Sequence, residues 1–401
     1  MNKRVLLLIV LSGILSALQA QNSPYISRVV EYRPAPGQHI NRLFPTAANS
    51  DTYEKALAFA NAQLTSRKHA KLLGLGGYGG YVIVTFDHSV VNVKGQYDMR
   101  TTGNNFYITN TEISAMSEPG IVMVCQDLNK NGIPDPNEPW YELAGSEYNN
   151  PETIKNYEIT YYRPQPDQQK KNIRWTDNQG NEGEVTHHQF ATQKTMYPLW
   201  VAENTMTFKG TKLPNNVYIM THDYGYGDGP ISLVVQKNYA WGYADNNVNF
   251  FDQDTQTFTE PIEATGLKID WAVDAAGNHV DLDYIDFVKI YTGILQEKMP
   301  VGETSTELSG MGGVIDLHPA AILTGLNTPE ADTQILIHNN QISIKEHSGT
   351  KTITDIFSIN GVSVMRNITD KDLNITLLPA GVYLIKVKTA KGTTTQKFIK
   401  H

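Results

Sequence analysis

Tyr81-Val82-Ile83-Val84-Thr85-Phe86 is an unbroken run of β-branched and aromatic residues, and its reading decides the fold class. Such side chains suit a pleated surface and lose rotamer freedom in a helix. Comparable runs recur at Ile121 to Cys125, Tyr157 to Tyr162, Ile231 to Val235, Leu267 to Val273 and Ile285 to Tyr291, separated by Gly, Asn, Asp and Pro clusters. Residues 53–71 are the contrast: Ala56, Leu57, Ala60 and Leu64, and less regularly Leu72, fall near a 3.6-residue period, which predicts one short helix. No parallel strand–helix–strand rhythm is visible. The expectation is an all-β chain whose main part, residues 21–326, is a large jelly-roll-like β-sandwich with one short helix.

Composition bears on what such a chain can do. The 401 residues are 40% hydrophobic, enough for two or three packed domains. Forty-one acidic residues against 33 basic ones give a formal net charge of −8, with no basic cluster to neutralise phosphates, so a nucleic-acid partner is excluded. Residues 1–20 run from Lys3 and Arg4 through an apolar stretch, Val5 to Leu18, to a small residue at Ala20, which reads as a removable signal peptide. No later segment approaches about 18 consecutive apolar residues, so the mature protein is expected not to cross a membrane. The single cysteine, Cys125, leaves an exported protein without an internal disulfide, and its apolar neighbours place it in a core strand.

Leu326 to Asp332, LNTPEAD, breaks the pattern, and a linker is expected at 327–333. The remainder, 334–401, alternates strand and turn again: Gln341 to Lys345, Ile353 to Ile359 with an Asn360-Gly361 turn, Gly381 to Lys388 and Thr394 to Lys400. An Asn-Gly pair between strand-like runs is a hairpin signal, and these strands could close a small Ig-like sandwich.

One loop carries metal chemistry. Asp127, Asn129, Asn131, Ile133, Asp135 and Glu138 occupy positions 1, 3, 5, 7, 9 and 12 of a calcium-loop template, with Gly132 at position 6. Calcium needs six or more hard oxygens at ~2.3–2.6 Å; glycine allows the sharp turn, and the Ile133 carbonyl would point inward. Pro134, Pro136 and Pro139 forbid an exit helix, so the loop should lie between strands and bind calcium in a structural role.

Other patterns fail on context. Gly74-Leu75-Gly76-Gly77-Tyr78-Gly79 has the spelling of a dinucleotide fingerprint, but a helix precedes it and a strand follows, so it reads as a helix-to-strand turn. His187-His188 and His222-Asp223 belong to no hydrolase or zinc pattern. Asp281, Asp283 and Asp286 could be drawn as glycosidase carboxylates, although acidic turns are common. Two aromatic loops, Tyr224, Tyr226 and Asp228, then Trp241, Tyr243, Asp245 and Asn246, have what a sugar site requires: rings to stack on C–H groups beside amides and carboxylates for hydroxyls.

Two resemblances extend this reading. IFSINGVSVMRNI and the terminal LPAGVYLIKVKTAKGTTTQKFIK resemble the type A sorting domain of the Bacteroidetes type IX secretion system, in Gly361, the Pro379 to Tyr383 turn, the alternating Leu384, Ile385 and Val387, and the closing Lys397 to Lys400. That resemblance implies the secretion machinery as a partner, passage through the periplasm and across the outer membrane, and a product that is secreted or held at the cell surface. LGLGGYGGYVIVTFDH, SEPGIVMVCQDLNKNGIPDPNEPWYELAGSEY, YEITYYRP, RWTDNQGNEG and IDWAVDAAGNHVDLDYIDFVKIYTG resemble a family of Bacteroidetes cell-surface proteins associated with PKD-type modules and with outer-membrane nutrient uptake, including corrinoids. The resulting expectation is a calcium-stabilised exported binding protein for a glycan or nutrient. The alternatives are an extracellular glycan hydrolase and an accessory of corrinoid uptake.

Overall fold

The computed structural model describes residues 22–400 apart from 109–113, 166–168, 190, 224–228, 249–250, 253–256, 259, 300, 311–312, 322–332, 339, 347–351, 359–361 and 390–391. The expected signal peptide, linker residues 327–332, the Asn360-Gly361 turn and the whole Tyr224, Tyr226, Asp228 loop therefore lie outside the described residues.

The fold is all-β. Its centre is a six-stranded antiparallel sheet in the order Arg28–Arg33, Tyr81–Val91, Tyr284–Thr292, Gly120–Cys125, Tyr141–Leu143 and Ala272–Val273. Its register sets rows of apolar side chains across three strands. Val84 pairs with Val288 and Val288 with Val124, and Val82, Ile290 and Val122 form the next such row. All six are fully buried. Alternate residues face the opposite way, where Ile121 and Tyr291 join Tyr157, Ile159 and Tyr161 of a four-stranded sheet, Ile154–Tyr162 with its neighbours, in a second core. The central sheet is thus covered on both faces. The first face packs against the helix Tyr53–Leu64 through Ala56, Ala60 and Leu64, and against short strands carrying Leu73, Met99, Leu267, Leu308 and Val314.

The expected helix is present but shorter than residues 53–71. Thr65 donates through both its backbone N–H and its hydroxyl to the Asn61 carbonyl, Arg67 takes a left-handed φ of 55°, and the chain leaves the helix. Lys68–Gly74 is a strand paired with Glu307–Gly310, with Leu72 opposite Ser309. The glycines of 74–79 therefore join two strands, which corrects the helix-to-strand reading. Gly76 has φ +72°, and a Cβ there would lie 2.0 Å from the Ala35 carbonyl oxygen.

Near the C-terminus, the strands Thr333–His338, Gln341–Glu346 and Asp372–Asn374 make one sheet, and Ser363–Ile368, Ile353–Ser358, Gly381–Thr389 and Gly392–Lys400 make another. Both contribute to a third core, with Ile342 and Ile344 from the first and Ile356, Ile385 and Val387 from the second. Tyr383 and Phe398 stack with centroids 5.4 Å apart, and the Tyr383 hydroxyl donates to the Pro379 carbonyl at 2.8 Å.

Gly76→Ala combines a left-handed backbone with a backbone clash, and should destabilise the protein by about 2–4 kcal/mol. The denaturation midpoint should fall with an unchanged m-value; an unaltered midpoint would contradict this account of the turn.

Candidate functional site

The 127–138 loop leaves the end of the Gly120–Cys125 strand and enters the Tyr141–Leu143 strand, its hydrogen-bonded neighbour. Its shape comes from side-chain oxygens capturing nearby backbone donors. The Asp127 carboxylate accepts from the Asn131 N–H at 3.0 Å and the Gly132 N–H at 2.7 Å. Asn129 Oδ1 accepts from Asn131 N–H, and Asn131 Oδ1 from Ile133 N–H. Glu138 closes the ring, one oxygen accepting from Leu128 N–H at 2.7 Å and the other from Asp135 N–H at 2.9 Å. Lys130 and Gly132 supply left-handed φ values of 59° and 76° at the tight bends.

Carboxylate and amide oxygens keep a lone pair after accepting one N–H. The Asn129 and Asn131 amide nitrogens both donate to Asp135 Oδ2, at 2.6 and 2.7 Å, so the side chains of positions 3, 5 and 9 already meet. Among the described residues no Lys or Arg forms an ion pair with Asp127, Asp135 or Glu138. Arg28 instead donates to the Gly132 carbonyl.

The loop is fixed to the sheet by Asp286, which accepts from Asp127 N–H at 2.7 Å and from the Ser89 hydroxyl at 2.5 Å. Burial holds the Asp286 carboxyl above the ordinary range, with Asp127 and Glu138 adding to the shift against the hydrogen bonds it accepts. Asp281 pairs instead with the exposed Lys94, which also holds Asp270 at 2.8 Å. The carboxylates Asp281, Asp283 and Asp286 line none of the cavities described below. Cys125 is fully buried, and burial pushes its thiol up to about 12, so it is a core residue. His188 is bound to Gln38 at 2.6 Å, and His187 to the Gln193 carbonyl at 2.9 Å.

The second aromatic loop is not the exposed face expected of it. Tyr243 is 3% exposed and belongs to the second core, its hydroxyl accepting from Glu147 N–H at 3.0 Å. Asp245 and Asn246 are each 1% exposed. Trp241 alone reaches the surface, and its ring packs on Trp271 with centroids 4.6 Å apart. The hydrophobic gain of closing these rings into the core outweighs their use as a platform.

A cleft of about 800 Å³ opens beside this loop, at the base of the hairpin Val217–His222 and Ile231–Gln236. Glu147, Asn215, Asn216, Tyr218, Lys237 and Tyr239 line it. Asn216 and Tyr239 are braced by the backbone, Asn216 on the Ser117 and Lys237 carbonyls and Tyr239 on the Pro214 carbonyl, while Asn215, Tyr218 and Lys237 face solvent. No feature of the sequence marked this cleft, because its lining comes from strand ends rather than from the aromatic clusters.

A smaller cavity of about 220 Å³ holds Glu142, Tyr148, Lys155 and Thr211. The Thr211 hydroxyl donates to Glu142 at 2.6 Å, and the Lys155 ammonium sits 2.9 Å from the centre of the Tyr148 ring. Desolvation lowers Lys155 to about 8, against the raising effect of Glu142. Lys155 should therefore be acylated at pH 7.5 on the order of tenfold faster than an ordinary surface lysine, since far more of it is neutral. Peptide mapping after brief acylation tests this, and Glu142→Gln should raise the rate further; an ordinary rate would contradict the desolvated setting.

A search of curated proteins finds no match to the chain. No helix among the described residues is long and apolar enough to cross a membrane. Residues 338–401 match the secretion system C-terminal sorting domain, so the chain carries the type IX export signal at its end and is a secreted or cell-surface protein.

Proposed function

We propose that the exported body is a binding module for an extracellular glycan, held in shape by calcium in the 127–138 loop. The observation that carries the binding role is the polar cleft at the base of the 217–236 hairpin. Its volume, about 800 Å³, lies within the range of small-ligand sites, and it joins a partly exposed tyrosine ring to amides and an ammonium group. Sugars are bound by ring stacking on C–H faces together with amide and charged partners for hydroxyls. Two of the three carboxylates considered for hydrolysis are engaged elsewhere, Asp286 in bracing the loop and Asp281 in a surface ion pair, which favours binding over cleavage.

Calcium is supported by the hydrogen-bonded ring from Asp127 to Glu138. The residues that would hold the ion are Asp127, Asn129, Asn131, Ile133, Asp135 and Glu138, and its charge would offset the three carboxylates of the loop. An exported protein meets plentiful calcium, and at a free concentration of about 100 times Kd the stabilisation is about 2.7 kcal/mol.

Chelation should accordingly lower Tm by about 3–5 °C in a protein of this size, and calcium should restore it. The Asp127→Asn, Glu138→Gln double variant should lose most of that response; a wild-type melt indifferent to chelator would remove calcium from the account.

For the cleft, immobilised glycans should retain the wild-type protein and release it unchanged in sugar-free buffer, while Tyr218→Ala weakens retention at least about tenfold, as expected for a stacked ring. Glycan cleavage during the run, or retention unaffected by Tyr218→Ala, would overturn the binding assignment. A bound coloured cofactor would instead favour nutrient uptake.

A further inference from the structure

The short strands Glu297–Lys298 and Gly302–Glu303 form an antiparallel ladder in which Glu297 stands directly opposite Glu303. Directly opposed residues project from one face of a ribbon with their Cβ atoms ~4.5–5.5 Å apart, and like charges in that relation are destabilising. Both glutamates line one cavity of about 180 Å³. Among the described residues neither forms an ion pair, and no Lys, Arg or His lines the cavity.

The surroundings sharpen the need for a positive partner. Glu303 is 4% exposed; one carboxyl oxygen accepts from the Gln38 N–H, and the other is buried without a hydrogen-bond partner among the described residues. Glu297 is partly buried and accepts from the Thr186 N–H at 3.1 Å. Burial holds the Glu303 carboxyl well above the ordinary range against the N–H it accepts, and the charges of Glu307 and Glu297 add to the shift.

A second opposed pair forms another wall. Trp175 stands directly across from Tyr161 on the four-stranded sheet, and both line the cavity, with Ile294 and Leu295 beside them. Gly183, the partner of Trp175 on its other side, lets the indole lie close over the strand, since a Cβ there would fall 2.4 Å from the ring. Burial, then the charges of Tyr157 and Glu303, raise the Tyr161 phenol well above its usual value, which places the Glu303 carboxyl within electrostatic reach of that wall.

We infer that this cavity is a binding site for a small organic cation carrying an ammonium group, seated between the Glu297–Glu303 pair and the Trp175–Tyr161 pair. Ring faces attract ammonium groups, the more so where water is displaced, and the two carboxyls supply the counter-charge. A neutral ligand would leave the opposed glutamates uncompensated. Calcium would require six or more oxygens, whereas here two carboxyls, each already accepting a backbone N–H, face aromatic walls. An apolar cavity of about 150 Å³ takes a benzene-sized molecule, so the space suits a ligand of about seven heavy atoms. Gln296 forms the partition from the glycan cleft, its amide donating to Asn216 Oδ1 and accepting from Asn216 N–H at 3.0 Å. The inference therefore stands apart from the glycan reading.

The test is calorimetric titration of the mature full chain with choline and, in parallel, with its uncharged tert-butyl analogue, both without glycan. Choline should bind at least about tenfold more tightly than the analogue. Glu297→Gln should weaken choline about tenfold and leave the analogue unaffected. Because that substitution also relieves the repulsion of the opposed pair, its melting temperature should be no lower than that of wild type. Equal binding of the two compounds, no binding of choline, or choline binding indifferent to Glu297→Gln would overturn the inference. So would displacement of choline by equimolar calcium or potassium, which would mean an inorganic site, or a lower melting temperature, which would mean a pair already compensated in the free protein. Flotation with phosphatidylcholine vesicles, which display the same group, then separates a lipid headgroup from a free ligand, and either source supports the site.

Discussion

The strands Tyr81–Val91, Tyr284–Thr292 and Gly120–Cys125 are apolar on both faces, and the rest of the molecule is arranged around that constraint. A sheet with one wet face could have stopped at two layers. Here Val82, Val122 and Ile290 require cover on one side while Ile121, Tyr291 and Phe287 require it on the other. The helix with the short strands meets the first need, and the four-stranded sheet meets the second. Polar chemistry is thereby driven off the strand bodies to their ends. Gly120–Cys125 shows the result: Glu118 stands just before it and Asp127 just after, roughly 30 Å apart at about 3.3 Å per residue.

Carboxylates at the two ends of one strand meet different physics. Asp127 and Glu138 lie in a loop whose own backbone turns donors toward them, beside exposed Leu128 and Ile133. Asp127 and Glu138 are themselves only 8% and 5% exposed, but backbone N–H groups of the loop already share their charge. Glu118 sits in the interior, where three carboxyl groups from distant parts of the chain share a few donors. In such a setting the desolvation penalty of each charge is several kcal/mol, and only a full counter-charge or a proton can offset it.

The same contrast explains what could be read in advance. The 127–138 loop is contiguous, its template positions fall at fixed spacings, and each captures a donor within five or so residues, so a local pattern suffices. The long β runs were legible for a similar reason, since β-branched side chains declare a pleated surface wherever they cluster. The end of the helix was less so: nothing in residues 65–71 forbids another turn until Leu72 is drawn into pairing with Ser309. Asp245 stood out only as a neighbour of aromatics, and its true partners, Glu118 and Glu307, sit in ordinary-looking segments. Contacts across 62 residues, as between Asp245 and Glu307, leave no period or spacing for a single sequence to display. The aromatic loop misled because Tyr243 has a hydroxyl that is satisfied inside, by Glu147 N–H, so a polar-looking residue could be buried without loss.

The source of the donors also separates the two acidic clusters energetically. In the loop, Asp127, Asp135 and Glu138 hold backbone and amide donors that the loop itself supplies, so their charge is offset locally. At Glu118, Asp245 and Glu307 the donors come from distant segments, and charging all three carboxyls must be answered by protonation or by opening the layers that Ser305 and Asn104 tie together. The charge state of the interior cluster is therefore coupled to the integrity of the layers around it, whereas the charge of the loop is coupled mainly to the short connection between two neighbouring strands.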